Sequence, residues 1–219
     1  MKLANANQIK NMRSDGFTLI EILVAMAIMA VIGVGALSIL NTATTTSNKI
    51  KVDGKRLNDV QRAFLLISQD MQQLTSRLVR DEFGDRLPAM KSDLQSSAPY
   101  LRVTRLGRRN PALLPRSNLE HLIYTIEGKQ LYRISYPYVD GMVAENALKR
   151  PLLENVEAMK VQFYDGEEWY DYWPIDEGSE DANPQALPVG VKFELELTDY
   201  GKLERVFALS DRIEKSDRG

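Results

Sequence analysis

Between Ile22 and Leu40 the chain carries no charged residue over 19 consecutive positions. As helix this run is about 28 Å long, roughly the hydrocarbon thickness of a bilayer. A single carboxylate, Glu21, stands at its leading edge, four residues after Phe17. Ahead of it lies a leader containing Lys2, Lys10, Arg13 and Asp15 and ending in Gly16. Such a segment has the length and composition to span a membrane, and on its own it could be an ordinary signal anchor. A carboxylate inside it is costly enough that a role for it is the default expectation. The alternative for Glu21 is a side chain that reaches back to the interface. The excess of Lys and Arg before the apolar run predicts an N-terminus on the cytoplasmic side and a body on the far side.

The remainder of the chain bounds the choice further. After Leu40 there are 179 residues, enough for one compact domain with a core. The net charge of -2 gives no basic footprint for nucleic acid. With no cysteine, disulfides and thiol-based metal or redox sites are excluded.

Asn41 to Asn48 is a polar Thr/Ser run of weak helix propensity, a candidate for local melting or bending. Beyond it Leu57, Val60, Phe64, Ile67, Met71, Leu74 and Leu78 recur at alternating spacings of three and four. This is one apolar stripe on a helix, with Asp59, Arg62, Asp70, Gln73 and Arg77 off it. The stripe predicts a helix to about Arg80, stopped by Gly84 and Pro88 and laid on its own sheet. Residues 85–99 read as loop. Strands are expected at Tyr100 to Leu106, Leu119 to Ile126, Gln130 to Tyr136 and Val156 to Tyr164. Two more are expected at Val189 to Thr198 and Leu203 to Leu209, with a return at Trp169 to Trp173. Glu127-Gly128-Lys129 reads as a hairpin turn. The fold class is therefore α+β, a long N-terminal helix packed on antiparallel sheet. The expected divisions are a leader at 1–16, a membrane helix at 17–40 and an amphipathic helix at 41–80. A β-rich head at 81–210 and a flexible tail at 211–219 complete them.

Catalytic signals are weak. The one histidine, His121, falls in a strand on the face opposite Leu122 and Tyr124, where a packed or surface role is expected. No G-x-S-x-G, S-x-x-K or H-E-x-x-H pattern occurs. Asp165 to Glu168 and Asp176 to Asp181 are acidic and loop-like, but neither has the EF-hand spacing, so solvated loops are expected. Arg102, Arg105, Arg108 and Arg109 could form an anion site, though such residues more often join ion pairs. Trp169, Tyr170, Tyr172 and Trp173 form an aromatic cluster that suits either core packing or a partner surface. No catalytic, cofactor or metal site is assigned.

The stretch Gly16-Phe17-Thr18-Leu19-Ile20-Glu21 resembles the class III signal of type IV pilins and type II secretion pseudopilins. The resemblance implies cleavage between Gly16 and Phe17 by prepilin peptidase, with N-methylation of Phe17 and retention of the apolar segment. Glu21 would then pair with the amino terminus of a neighbouring subunit. Further stretches resemble the J-type minor pseudopilins. They are Arg80 to Asp85, Arg105 to Pro111, Leu131-Tyr132-Arg133 with Tyr136-Pro137, and Phe163 to Gly166 with Trp169 and Trp173-Pro174. Leu187-Pro188 with Gly201, Arg205 and Phe207 extend the likeness, and Arg108 departs from the aromatic usual in that family. The resemblance implies a pilin-like fold and a structural subunit at the tip of the secretion pseudopilus. There it would help to prime assembly and to export folded proteins from the periplasm. The implied partners are the I-, K- and H-type minor pseudopilins, the major pseudopilin and prepilin peptidase in the inner membrane. Secreted substrates and the outer-membrane secretin are further implied partners. The alternatives are a minor pilin of a type IV pilus, which the lack of a cysteine pair disfavours, and a membrane-anchored periplasmic enzyme.

Overall fold

A computed structural model describes residues 17–107, 117–136, 138–176 and 183–209. The chain divides into two compact units, Met1–Arg56 and Leu57–Gly219. The helix α1, Leu19–Gln72, supplies residues to both.

In the first unit α1 is capped by Thr18, whose carbonyl and hydroxyl oxygens both accept the Glu21 N–H, at 3.1 and 3.3 Å. Its large apolar side chains, Ile22, Ile28, Val31 and Leu37 among them, are all at least half exposed. This is a helix long and apolar enough to cross a membrane. Helix continues through the Thr/Ser run. There the Thr42, Thr44 and Thr45 hydroxyls donate to carbonyls three or four residues back, so these polar side chains bond within the helix instead of ending it.

In the second unit α1 buries Val60, Ala63, Phe64, Ile67, Asp70 and Met71. Two antiparallel sheets share the core with that face. One is five-stranded in the order β3-β4-β5-β6-β8. Its strands are β3 Met90–Asp93, β4 Tyr100–Arg105, β5 Glu120–Glu127, β6 Gln130–Tyr136 and β8 Leu148–Glu154. The other runs β10-β9-β11-β12. It comprises β9 Val156–Tyr164, β10 Trp169–Tyr170, β11 Gly190–Leu197 and β12 Gly201–Ala208. Alternation fills the core side, with Val191, Phe193, Leu195 and Leu197 all buried. Tyr124 of β5 and Phe193 of β11 join the sheets edge to face, with ring centroids 5.9 Å apart. A third, small sheet joins β1 Val79–Asp81, β2 Arg86–Leu87 and β7 Asp140–Met142 in the order β2-β1-β7. Its β1–β7 pair is parallel.

Two turns use left-handed backbone. Gly128 and Lys129, at φ 56° and 64°, form the two-residue hairpin loop between β5 and β6. Asn155, at φ 58°, is the single residue between β8 and β9, where the chain leaves one sheet for the other.

Three sequence expectations change. The helix stops at Gln72, short of Arg80, because β4 captures the backbone just beyond it. Leu106 N–H donates to Gln73 C=O at 2.8 Å, and Thr75 N–H donates to Thr104 C=O at 3.0 Å. Residues 85–99 contain β2 and β3, with Met90 wholly buried. The stretch 148–154, assigned no element from sequence, is the edge strand β8. The expected leader 1–16 and tail 211–219 lie outside the described residues.

Candidate functional site

The most organised polar cluster is where α1 lies on the five-stranded sheet. Asp70 is fully buried among the stripe residues, which corrects its placement off the stripe. It follows Ile67 by three residues and precedes Leu74 by four, so it falls within the width of the apolar face. Its Oδ2 accepts Arg133 Nε at 2.7 Å and its Oδ1 accepts Arg133 Nη2 at 3.2 Å. Arg105 Nε lies 3.1 Å from Asp70 Oδ1, and the Tyr124 hydroxyl donates to Asp70 Oδ2. Glu120 Oε2 accepts Arg105 Nη2 at 2.6 Å and Arg133 Nη2 at 3.2 Å. Arg105 Nη1 donates to Gln73 Oε1 at 2.7 Å. Gly107, at φ 81°, uses left-handed backbone that favours glycine and lies against the Gln73 side chain.

Strand alternation builds this arrangement. Arg105, Glu120 and Arg133 lie on neighbouring strands, with Arg105 opposite Glu120, and all three turn toward the helix. The electrostatics are those of a closed network. Burial alone would raise the Glu120 carboxyl, but Arg133 and Arg105 outweigh it and hold it below the usual range. Burial disfavours the Arg133 cation, yet its bonds to Asp70 and the Asp70 charge hold it more firmly protonated than usual. Burial and the adjacent Asp70 charge push the Tyr124 hydroxyl well above its ordinary value. A paired, buried set of this kind fixes which part of the helix meets which part of the sheet. Removing one member leaves an uncompensated charge. Chemically it is a clamp, as every member is committed to another.

The other candidates separate. Arg102 and Arg105 alternate to opposite faces of β4, so the sequence's arginine group does not converge, and Arg108 and Arg109 lie outside the described residues. His121 is wholly buried, with Nδ1 3.1 Å from Thr104 Oγ1. Burial, with help from the Arg102 charge, pushes its pKa down to about 3. The aromatic cluster divides too. Trp173 is core and bonds Ser92 and the Ala186 carbonyl, while Trp169 and Tyr172 are exposed at 41% and 53%. Asp165 Oδ1 accepts the Glu167 and Glu168 N–H groups, which hold its carboxyl below the usual range. Asp176 Oδ2 accepts Asn183 N–H, and residues 177–182 of that acidic run lie outside the described part. Phe17 is 80% exposed, and the Glu21 carboxylate has no ion-pair partner among the described residues. Gly16 lies outside them. The sequence reading missed that Thr18 and Glu21 are spaced as a capping box; Thr-x-x-Glu before an apolar run carries that signal.

A long apolar-then-amphipathic helix laid on antiparallel sheet, with this clamp between them, defines a pilin-like subunit. The family model described as "Type II secretion system (T2SS), protein J" matches residues 38–209. The prokaryotic N-terminal methylation motif matches residues 11–37. Type II secretion system protein J of Escherichia coli is 32% identical over 198 residues, covering 89% of this chain and 95% of that protein. The protein of the same name from Vibrio cholerae serotype O1 is 35% identical over 208 residues, covering 92% and 90%. Among solved structures, a chain of the GspK–GspI–GspJ complex from enterotoxigenic Escherichia coli aligns with a TM-score of 0.62. It shares 29% identity and covers 72% of this chain and 99% of that one. The chain belongs to the type II secretion system protein J family, the J-type minor pseudopilins.

Proposed function

We propose that the chain is a tip subunit of the type II secretion pseudopilus, anchored in the inner membrane with its head in the periplasm. It assembles there with I- and K-type partners, primes the filament and supports export of folded proteins across the outer membrane. The observation that carries this reading is the unburied apolar helix that opens on Phe17 and leads into a J-family head. In this reading prepilin peptidase cuts between Gly16 and Phe17, and Phe17 is then N-methylated. The new ammonium pairs with Glu21 of a neighbouring subunit. That carboxylate has no ion pair among the described residues, and an unpaired charge in an apolar layer is costly enough to set axial register. The family's structural role leaves no catalytic residue to assign.

Mass spectrometry of the mature N-terminus tests the processing step, and N-methylphenylalanine at position 17 is the expected result. An intact Met1, or cleavage near residue 46, would overturn it. Glu21→Ala is expected to abolish secretion while leaving the head's unfolding unchanged. Normal secretion in that variant rules the pairing out.

A further inference from the structure

The clamp is balanced where it faces the helix and unbalanced where it faces solvent. A cleft of about 310 Å³ opens beside it. Leu66 of α1 and Pro151 of β8 wall the cleft, and Arg105, Glu120, Arg133 and Arg150 supply its polar groups. In the β6–β8 ladder Arg133 stands directly opposite Arg150. Like charges in that position repel. Asp70 and Glu120 are already shared between Arg105 and Arg133. Three guanidinium groups thus meet two carboxylates, and Arg150 is the one left over. It is exposed and has no ion pair among the described residues, whereas its neighbour Lys149 is paired with Glu127. The strand that carries it is the sheet's edge, with its outer backbone unpaired by any strand among the described residues. On the helix side Leu65, next to Leu66, is 60% exposed.

We infer that this cleft receives an aspartate or glutamate side chain of a neighbouring pilin-like subunit, with the carboxylate on Arg150 and apolar atoms against Leu66 and Pro151. The charge excess selects a carboxylate. A subunit is favoured as its source because the cleft straddles the helix and the edge strand, and the helix also carries an exposed apolar residue, Leu65, outside the cleft. The inference rests on the filament-subunit reading and adds one partner interaction to it. The docked carboxylate would relieve the Arg133–Arg150 repulsion, and through Arg133 and Asp70 it would bear on the helix itself.

The test uses the full chain in detergent, tagged and co-expressed with I- and K-type minor pseudopilins, with Arg150→Glu as the variant. Two opposite effects are expected. The free variant melts at a higher temperature than the parent, because a like-charge pair has become an opposite pair. Its retained partner falls roughly tenfold, the scale of removing one charge pair from an interface. Arg150→Ala should weaken retention less, and Arg150→Lys should retain most of it. A residue that merely stabilised the head would move melting and retention in the same direction, and that result overturns the proposal. Unchanged retention overturns it too. Intact retention with lost export would assign the cleft to an exported protein instead, against the occupant named here. Processing at Phe17 is read on the same samples. If it is absent the filament reading itself has failed, whereas normal processing with unaltered retention refutes the cleft alone.

Discussion

The two halves of α1 are one helix by backbone and two different objects by environment. From Leu19 to Arg56 its apolar residues point in every direction and none is buried. From Leu57 to Gln72 a single face is buried, and that face includes a charge, Asp70. The first half uses apolar side chains without selecting a face, as a lipid environment permits. The second places Ile67 and Met71 against a sheet and commits its one buried carboxylate to two arginines and a tyrosine. Apolar content alone therefore does not say what a helix packs on; the width of the apolar face and the partners of its polar residues do.

The contrast is broken most severely at Asp70. Asp70→Ala strips Arg133 and Arg105 of a buried counter-charge, and a loss of about 3–5 kcal/mol in head stability is expected, measured by denaturant unfolding. A change under about 1 kcal/mol would mean that the clamp is water-filled and weak. Next comes Ile67→Ala, which empties a fully buried site and should cost about 2–4 kcal/mol by the same measurement. The matched change in the first half, Ile28→Ala, should leave the head's unfolding within about 0.5 kcal/mol of the parent.

Two smaller effects sharpen the comparison within the head. His121 is held neutral when folded, its pKa pushed down to about 3 by burial and by Arg102. The unfolded chain takes up that proton near pH 6.5. Stability is therefore full above about pH 6.5 and declines as the pH falls toward 3. From about pH 6.5 to 5 the decline should be about 1–2 kcal/mol. His121 is the chain's one histidine, so His121→Leu should flatten melting temperature against pH in that window. An unaltered slope would show that another group is responsible. Gly107→Ala forces a side chain into left-handed backbone beside Gln73 and should cost about 1–2 kcal/mol, read as a lowered unfolding midpoint.

Legibility in the sequence tracked how local each signal was. The strands at β4, β5, β6, β9 and β11 show in the alternation of their own residues, and the β5–β6 turn shows in Gly128-Lys129. Strand β8 did not show. Lys149-Arg150-Pro151 has no apolar alternation to assign it an element, and Pro is acceptable in a strand there only because β8 lies at a sheet edge, a fact of topology. The helix end was misplaced for a similar reason. Leu74 and Leu78 continue the heptad pattern, but Gln73 and Thr75 find their backbone partners in and just after β4, some thirty residues on. The aromatic run Trp169 to Trp173 was legible as a cluster, though not as one buried residue beside exposed ones.

By itself the sequence determined the apolar segment, the carboxylate at its edge, the motif that opens it and the α+β class. These rest on composition and short-range periodicity, which a chain carries before it folds. Only the tertiary structure decided that Asp70 lies inside and that Arg105 and Arg102 part company. It also decided that Arg133 and Arg150 stand face to face. A charged side chain gains its meaning from what surrounds it, and residues 70, 105, 120 and 133 become neighbours only once the strands have paired and the helix has been laid across them.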